Sequence, residues 1–282
     1  MLLDGIKVAS KTKLEIKQDV VKLNNANIFP CLATVLVGNN PASLTYVKYK
    51  HNACREVGIH TIDHKLSATI EEAELINLIN KLNNDNKVHG ILVQLPLPDH
   101  IDQFNVLNHI LSDKDVDGLT IKNAGLLLND KSKIQPCTPK GVMRILDFYG
   151  INLEGKNVVV INRSILVGKP LSLLLLEQNA TVTICHSKTK NLKDFTTKAD
   201  IVITAIGNRN VFTLTKDMIK EGSVVVDIGT SRHNGRLTGD VDFDNVSKKA
   251  AWITPVPGGI GPMTICMLLE NTVIAAQSLT LT

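Results

Sequence analysis

Hydrophobic positions along this chain come in two patterns. Short Val/Ile-rich runs alternate with longer stretches whose apolar residues recur every three or four positions. In the first half, CLATVLV (31–37) and HGILVQ (89–94) read as strands, with 61–66 a weaker third. Helical periodicity lies near residues 6–24, 42–57 and 70–84. The second half is more regular. NVVVI (157–161), TVTIC (181–185), DIVITAI (200–206) and SVVVDI (223–228) are short and apolar, like strands covered on both faces. Helical stretches fall near 170–178 and 214–220, and a last apolar helix starts at 263 and runs to about 276. Strands that alternate with helices in this way predict parallel sheets flanked by helices, an α/β fold.

Two interruptions divide the pattern. PCTPKG (136–141) carries two prolines and a glycine, and TPVPGGIGPMT (254–264) carries three prolines and three glycines. The expected organisation is two α/β lobes. Residues 1–135 form the first, with the last helix (263–282) returning to it, and 136–262 form the second. A length of 282 residues is enough for two cores.

Composition narrows the partners. Lys plus Arg number 31 and Asp plus Glu 27, a surplus of only +4, and no Lys/Arg block occurs. Aromatics are 4%, which leaves little for base stacking, so no nucleic-acid role is expected. The five cysteines are widely spaced with no C-x-x-C, arguing against a disulfide framework or zinc site and for a reducing compartment. The eight histidines show no ligand spacing, so no metal is implied. The N-terminal stretch lacks the apolar core of a signal peptide and no run is long enough to span a membrane, which predicts a cytoplasmic protein.

Candidate chemistry appears in two places. Strand 157–161 leads into NRSILVGKP (162–170) and then an apolar helix. Pro170 suits a first helical turn, and a dinucleotide phosphate is expected on that helix N-terminus. G-x-G-x-x-G is missing, so an ordinary strand-to-helix turn is an equal reading of this segment alone. The next strand ends in CHSK (185–188), roughly 25 residues on, where an NAD site places an acid. Here there is none. Arg163, Ser164, Ser187 and Lys188 offer cations and hydroxyls, which suit the 2′-phosphate of NADP.

The second place is LTYVKYKHNACREV (44–57). At about 100° per residue, Tyr46, Val47, Lys50, Ala53, Cys54 and Val57 share one helix face, while Lys48, Arg55 and Glu56 point elsewhere. A lysine in an apolar stripe snorkels, pairs or faces a cavity. A desolvated amine also sheds its proton more readily than a hydrated one, as acid–base chemistry needs. Snorkelling and catalysis are both open on this segment alone. Tyr-x-x-x-Lys is also the signature of short-chain dehydrogenases, but there the pair follows the nucleotide turn, and here it precedes it.

Further blocks combine with these: GNNPASLTYVKYK (38–50), GILVQLPLP (90–98), KDVDG (114–118), PCTPKG, NRSILVGKP, ATVTICHSKT (180–189), GDVDF (239–243) and ITPVPGGIGPMT (253–264). In order, spacing and wording, over nearly the whole chain, they resemble the bifunctional 5,10-methylenetetrahydrofolate dehydrogenase/5,10-methenyltetrahydrofolate cyclohydrolase family. The resemblance implies a homodimer with an N-terminal folate-site lobe, a Rossmann-like NADP lobe and a folate cleft between them. It also implies oxidation of the methylene compound by NADP⁺, then hydrolysis to 10-formyltetrahydrofolate. Another two-domain NAD(P)-dependent dehydrogenase would lack QLPLP and KDVDG. A non-catalytic nucleotide-binding module would have no reason to place Lys50 beside Tyr46.

The same resemblance implies roles. Lys50 matches the catalytic lysine, Tyr46 the tyrosine that packs on the folate ring, and Gln94 the glutamine that bonds the lysine. Val93 and Leu95 flank Gln94 as substrate-binding positions. Asp117 matches the carboxylate that recognises the pterin, whose adjacent N–H donors a carboxylate can accept together. Pro257, Gly258 and Gly261 match the loop lining the folate site. Thr138, Asn162, Arg163, Ser164, Ser187, Gly207 and Thr230 match cofactor-binding positions. Three departures touch the cofactor. Asn162 replaces a usual glycine and is expected to keep the turn by tolerating positive φ. Gly229-Thr230-Ser231 replaces G-I-N, and Gly207-Asn208-Arg209 replaces G-x-P.

Overall fold

The computed structural model describes residues 1–233 and 235–279; residues 280–282 of the predicted last helix lie outside this range. Helix α1 (Gly5–Asn25) is followed by β1 (Cys31–Val37), α2 (Pro41–Val57), β2 (His60–Leu66), α3 (Glu72–Asn84), β3 (Gly90–Val93), α4 (Gln103–Asn108) and α5 (Ile121–Leu128). Then come α6 (Cys137–Phe148), β4 (Asn157–Ile161), α7 (Gly168–Glu177), β5 (Thr181–Cys185), α8 (Leu192–Thr196), β6 (Ile201–Thr204) and β7 (Val224–Asp227). The hairpin β8 (Ser231–His233) and β9 (Arg236–Thr238), then α9 (Phe243–Val246), β10 (Trp252–Ile253) and α10 (Ile260–Leu279) complete the chain. The α/β alternation read from the hydrophobic pattern is the architecture observed. None of the helices among the described residues is long and apolar enough to cross a membrane. All five cysteines are buried, and none forms a disulfide among the described residues.

The chain forms two compact units. One holds Lys11–Cys137 together with the residues from Ile265 onward; the other holds Met1–Ser10 and Thr138–Thr264. The first ten residues join the second unit for a visible reason. The Leu3 N–H donates to the Ile253 carbonyl at 2.9 Å, and the Gly5 and Ile6 N–H groups donate to the Gly258 carbonyl at 2.9 and 3.2 Å. That carbonyl thereby satisfies donors that the start of α1 would otherwise leave open.

In the first unit the sheet order is β2-β1-β3, with both pairings parallel. Every residue of β1 is buried. Ala33, Val35 and Val37 alternate onto one face and pack, with Ile91 and Val93, against Leu75, Ile79 and Leu82 of α3. The weak candidate at 61–66 is a full strand, β2; it reads faintly because it is an edge strand with mostly exposed positions. Beyond β3, residues 114 and 115 run alongside it. The Ile91 N–H donates to the Lys114 carbonyl at 2.7 Å, and Ile91 bridges Asp115 in the parallel sense.

In the second unit the order is β10-β7-β6-β4-β5, all parallel. The chain steps from β4 outward to β5, then returns to the other side of β4 as β6. This reversal makes the carboxyl ends of β4 and β6 the ligand-binding crevice of a Rossmann-like sheet.

Two expectations are corrected. Residues 214–220 form no α-helix, only one short 3₁₀ turn at Lys216–Met218. Leu214 is instead held extended, its N–H on the Asp240 carbonyl at 2.8 Å and its carbonyl on the Asp242 N–H at 2.9 Å. Leu214 is buried in the sheet's core and Met218, four residues on, packs against the same core, which imitates helical spacing. PCTPKG, read as an interruption of the pattern, lies mostly within a helix, since α6 begins at Cys137, while the two units do divide at this segment. Pro139 sits in the first turn of α6, where the missing N–H has no intrahelical partner to lose.

Candidate active site

Helix α2 is pinned at both ends. Asn40 Oδ1 accepts the N–H groups of Ala42 and Ser43 at 2.9 and 3.2 Å, Pro41 opens the first turn, and Gly58 closes the helix in the left-handed conformation. The rotation this sets leaves Ser43, Lys50, Ala53, Cys54 and Val57 buried. Lys50 is 8% exposed, whereas Lys48 is exposed, as the helical reading expected. Tyr46 departs from that reading. It is 44% exposed, so its ring stands at the margin of the stripe, open to a flat ligand, rather than within it.

Gln94 follows β3 directly. Its N–H continues the ladder onto the Val35 carbonyl at 2.8 Å. Its Nε2 donates to the Leu95 carbonyl at 2.8 Å, which turns Oε1 toward the Lys50 ammonium at 3.0 Å. The structure therefore brings Lys50 and Gln94 together. Leu95 is half-buried, while the Val93 side chain lies in the core, so any ligand contact at Val93 runs through its backbone.

KDVDG divides its labour. The buried Lys114 ammonium donates to the carbonyls of Leu82, Asn83 and Asp85 at 3.1, 2.8 and 2.8 Å, capping the C-terminus of α3. Burial pushes its pKa below the ordinary lysine range. Asp115 accepts from the Thr120 N–H at 2.8 Å and from Asn123 Nδ2 at 2.9 Å. Burial raises its pKa despite these donors. Asp117 is half-buried and lies two residues past the bridge to β3, at the same carboxyl end of the sheet as Gln94. Its carboxylate makes no hydrogen bond to the described residues, which leaves both oxygens open to a ligand. Gly118 lies at φ 69°, and a Cβ there would stand 2.8 Å from the Pro136 nitrogen, so the turn that carries Asp117 requires glycine.

Pro257, Gly258 and Gly261 belong to the other unit. Pro257 is exposed after a cis peptide bond, Gly258 lies at φ 105° with its carbonyl on α1, and Gly261 is exposed at the start of α10.

The cofactor candidates cluster by topology. Asn162, Arg163 and Ser164 follow β4, Ser187 follows β5, Gly207 comes after β6 and Thr230 after β7, all at carboxyl ends. Gly207 lies at φ 69°, and a Cβ there would stand 3.5 Å from the Thr230 carbonyl oxygen. Arg163 is exposed and makes no ion pair among the described residues. Thr138 sits apart from the strand ends, in the first turn of α6, with its hydroxyl 3.0 Å from that of Thr264.

Asn162 corrects two expectations. Its φ is not positive; among the described residues the non-glycine positions with positive φ are Asn27, Asp130, Asn179 and Asn191. It holds the turn with its side chain. Oδ1 accepts the N–H groups of Ser164 and Gly168 at 2.7 and 3.1 Å, and Nδ2 donates to the Ala205 carbonyl at 2.6 Å. The start of α7 is therefore not a free anion seat. The Val167 N–H is taken by Ser164 Oγ at 3.1 Å, that of Gly168 by Asn162, and that of Lys169 by the Ser164 carbonyl at 3.0 Å.

Two buried acids had no role in the sequence reading. Asp240 accepts from Thr204 Oγ1 at 2.8 Å and from the N–H groups of Ile206 and Gly207 at 2.6 and 2.9 Å. Asp227 accepts from the N–H groups of Gly229, Asp240 and Val241 at 3.0, 3.0 and 2.9 Å. Burial, with the neighbouring Asp240 charge adding to it, outweighs these donors and pushes the Asp227 pKa up to about 7. The signal was a D-x-G directly after a strand and a G-D within GDVDF.

Comparison with known proteins agrees along the whole chain. Residues 3–117 match the profile described as tetrahydrofolate dehydrogenase/cyclohydrolase, catalytic domain, and residues 136–280 match its NAD(P)-binding domain. A bifunctional FolD protein of Nitrosopumilus maritimus is 58% identical over 275 residues, covering 98% of this chain and 96% of the relative. The crystal structure of a bifunctional FolD dehydrogenase/cyclohydrolase from Campylobacter jejuni aligns with a TM-score of 0.96 at 51% identity, covering 99% of each chain. A Trypanosoma brucei dehydrogenase-cyclohydrolase, solved with NADP cofactor and inhibitor, aligns at 0.93 and 37% identity, covering 99% of this chain and 97% of that one.

Proposed function

This chain belongs to the tetrahydrofolate dehydrogenase/cyclohydrolase family, and from that premise we propose how its own residues carry the two reactions. It is a bifunctional enzyme of one-carbon folate metabolism. It oxidises 5,10-methylenetetrahydrofolate with NADP⁺ and hydrolyses the methenyl product to 10-formyltetrahydrofolate.

NADP⁺, when bound, supplies the hydride acceptor. The strand-end set fits such a group: a parallel sheet with a reversal at β4, an unpaired arginine beside it, and a loop of positive φ after β6. Arg163, with Ser187 and Lys188, takes the 2′-phosphate, while Ser164, Gly207 and Thr230 meet the dinucleotide and Asn162 fixes the turn. Thr138 completes the cofactor set, and the 257–261 loop lines the folate site. Oxidation needs no side-chain base, because the folate nitrogens stabilise the cation; the protein's part is alignment.

Hydrolysis needs proton movement. Water adds to the carbon of the methenyl cation and one of its protons leaves; the other passes from the new hydroxyl to the ring nitrogen as the C–N bond breaks and the formyl C=O forms. Lys50 is the group that moves that second proton. Gln94 holds the Lys50 ammonium in place, Tyr46 offers its exposed ring to the folate, and Asp117 takes the pterin N–H donors. The observation that carries this reading is a buried lysine whose one fixed partner among the described residues is an oriented carboxamide, 3.0 Å away.

The reading includes a homodimer, which the open edge strand β5 supports: its Ile184 is 41% exposed. It also assigns the cytoplasm, in keeping with five cysteines that form no disulfide among the described residues.

The test is a coupled assay. Mixed with methylenetetrahydrofolate and NADP⁺, the protein should form NADPH, and methenyltetrahydrofolate supplied directly should disappear faster than in buffer. Absence of both signals, with NAD⁺ tried as well, would sink the reading.

A further inference from the structure

We propose that Asp240 is a positioning residue for the dinucleotide, acting through the 205–207 loop that its carboxylate holds. The proposal rests on the reading that Gly207 and Thr230 contact NADP.

The loop leaves β6 at the topological reversal, beside the turn that leaves β4. It is gripped from both sides. From the β4 side, Asn162 Nδ2 donates to the Ala205 carbonyl at 2.6 Å. From the other side, Asp240 accepts from Ile206 and Gly207 at 2.6 and 2.9 Å and from the Thr204 hydroxyl at 2.8 Å. Both carboxylate oxygens are engaged, so two successive peptide N–H groups point at one rigid acceptor. That fixes the peptide plane of Gly207, the residue whose left-handed backbone turns the loop at the crevice.

Asp240 is fully buried and no cation pairs with it among the described residues. A carboxylate in that position is costly unless its donors are complete, so the site tolerates little departure from this geometry. Its seat is also closed by reciprocal packing. A Cβ at Gly229 would lie 2.2 Å from the Asp240 carboxylate carbon, and one at Gly239 would lie 1.9 Å from an Asp227 carboxylate oxygen. Each acid thus lies against the glycine that neighbours the other strand end. Asp227 in turn holds the N–H groups of Gly229 and Asp240 at 3.0 Å each. The loops after β6 and β7 therefore move as one piece, which presents half-buried Gly207 and exposed Thr230 at the crevice.

The test uses Asp240→Asn and the milder, nearly isosteric Thr204→Val, which removes one donor to Asp240. NADP⁺ binding is titrated calorimetrically on the full chain, and KM and kcat are read for oxidation. Hydrolysis of preformed methenyltetrahydrofolate, which requires no dinucleotide, serves as the control. Asp240→Asn should weaken NADP⁺ about tenfold or more, the size expected for a lost charged hydrogen bond. It should raise KM for NADP⁺ more than it lowers kcat, and keep hydrolysis within about twofold of wild type. Thr204→Val should weaken NADP⁺ about threefold on the same grounds, and it decides the matter if Asp240→Asn does not fold. NADP⁺ affinity within about twofold of wild type in the folded variants would overturn the proposal, as would loss of hydrolysis in the same proportion as affinity. Failure of the wild-type chain to bind NADP⁺ is a separate outcome: it would remove the cofactor reading itself, and the proposal with it.

Discussion

The Lys50 ammonium meets the Gln94 side-chain oxygen at 3.0 Å, and the Gln94 amide nitrogen is already committed to the Leu95 carbonyl. The carboxamide cannot flip without losing that second bond, so Gln94 presents an acceptor to Lys50 and not a donor. The lysine is held by a neutral partner that orients it without quenching its charge.

Replacing Lys50 with Met should remove the proton carrier while keeping the buried stem. Hydrolysis of methenyltetrahydrofolate should fall by at least about 100-fold, with circular dichroism and NADP⁺ binding unchanged. Gln94→Leu should lower the same rate about tenfold, since it frees the amine without deleting it. Wild-type hydrolysis by Lys50→Met would remove Lys50 from the mechanism.

Arg163→Ala tests the 2′-phosphate assignment. NADP⁺ should bind about tenfold or more weakly, while NAD⁺, which lacks that phosphate, should change by less than about twofold. Equal losses for the two dinucleotides would show that Arg163 serves something they share.

Lys114→Met separates structure from chemistry within KDVDG. Three carbonyls at the end of α3 would lose their donor, at a cost of about 1–3 kcal/mol. Urea unfolding should show it as a lower midpoint with an unchanged slope. A shift below about 0.5 kcal/mol would mean that water replaces the ammonium at no penalty.

Asp227 should make stability depend on pH in an unusual direction. Its folded pKa of about 7 lies above the unfolded carboxylate value, so the native state keeps a proton that the unfolded chain releases. Between about pH 4 and pH 7 stability should therefore fall as pH rises, by at most about 4 kcal/mol, and level off above that window. The difference in unfolding free energy between wild type and Asp227→Asn, followed across that range, isolates the effect. A flat difference would show that the carboxyl titrates normally.

Much of this was legible from residue order. β1 and β4 have the limits that their Val/Ile runs mark, because burial on both faces leaves a continuous apolar signature, and the edge strand β5 keeps its limits although only Cys185 in it is buried. Lys50 could be separated from Lys48 by angle alone, because a helix rotates by a fixed amount per residue. Asn162 was noticed for the right position and given the wrong reason: backbone tolerance was expected, and side-chain hydrogen bonds do the holding. The stretch at 214–220 misled because two core-packed residues four apart, Leu214 and Met218, look helical even when one of them is extended.

The sequence by itself determined the order of strands and helices, the buried face of α2, and a set of motifs dense enough to indicate two reactions. These are local properties, set by periodicity and by residue type. Only the tertiary structure decided which acids are tied into the fold and which stay open. Asp115 and Asp117 stand two apart in one motif, yet one is buried on Thr120 and Asn123 and the other is open. Gln94 meets Lys50 across 44 residues, and Asp240 reaches Ile206 across 34. Such pairings depend on strand order and register, which bring distant residues to one sheet end, and no local pattern encodes that adjacency.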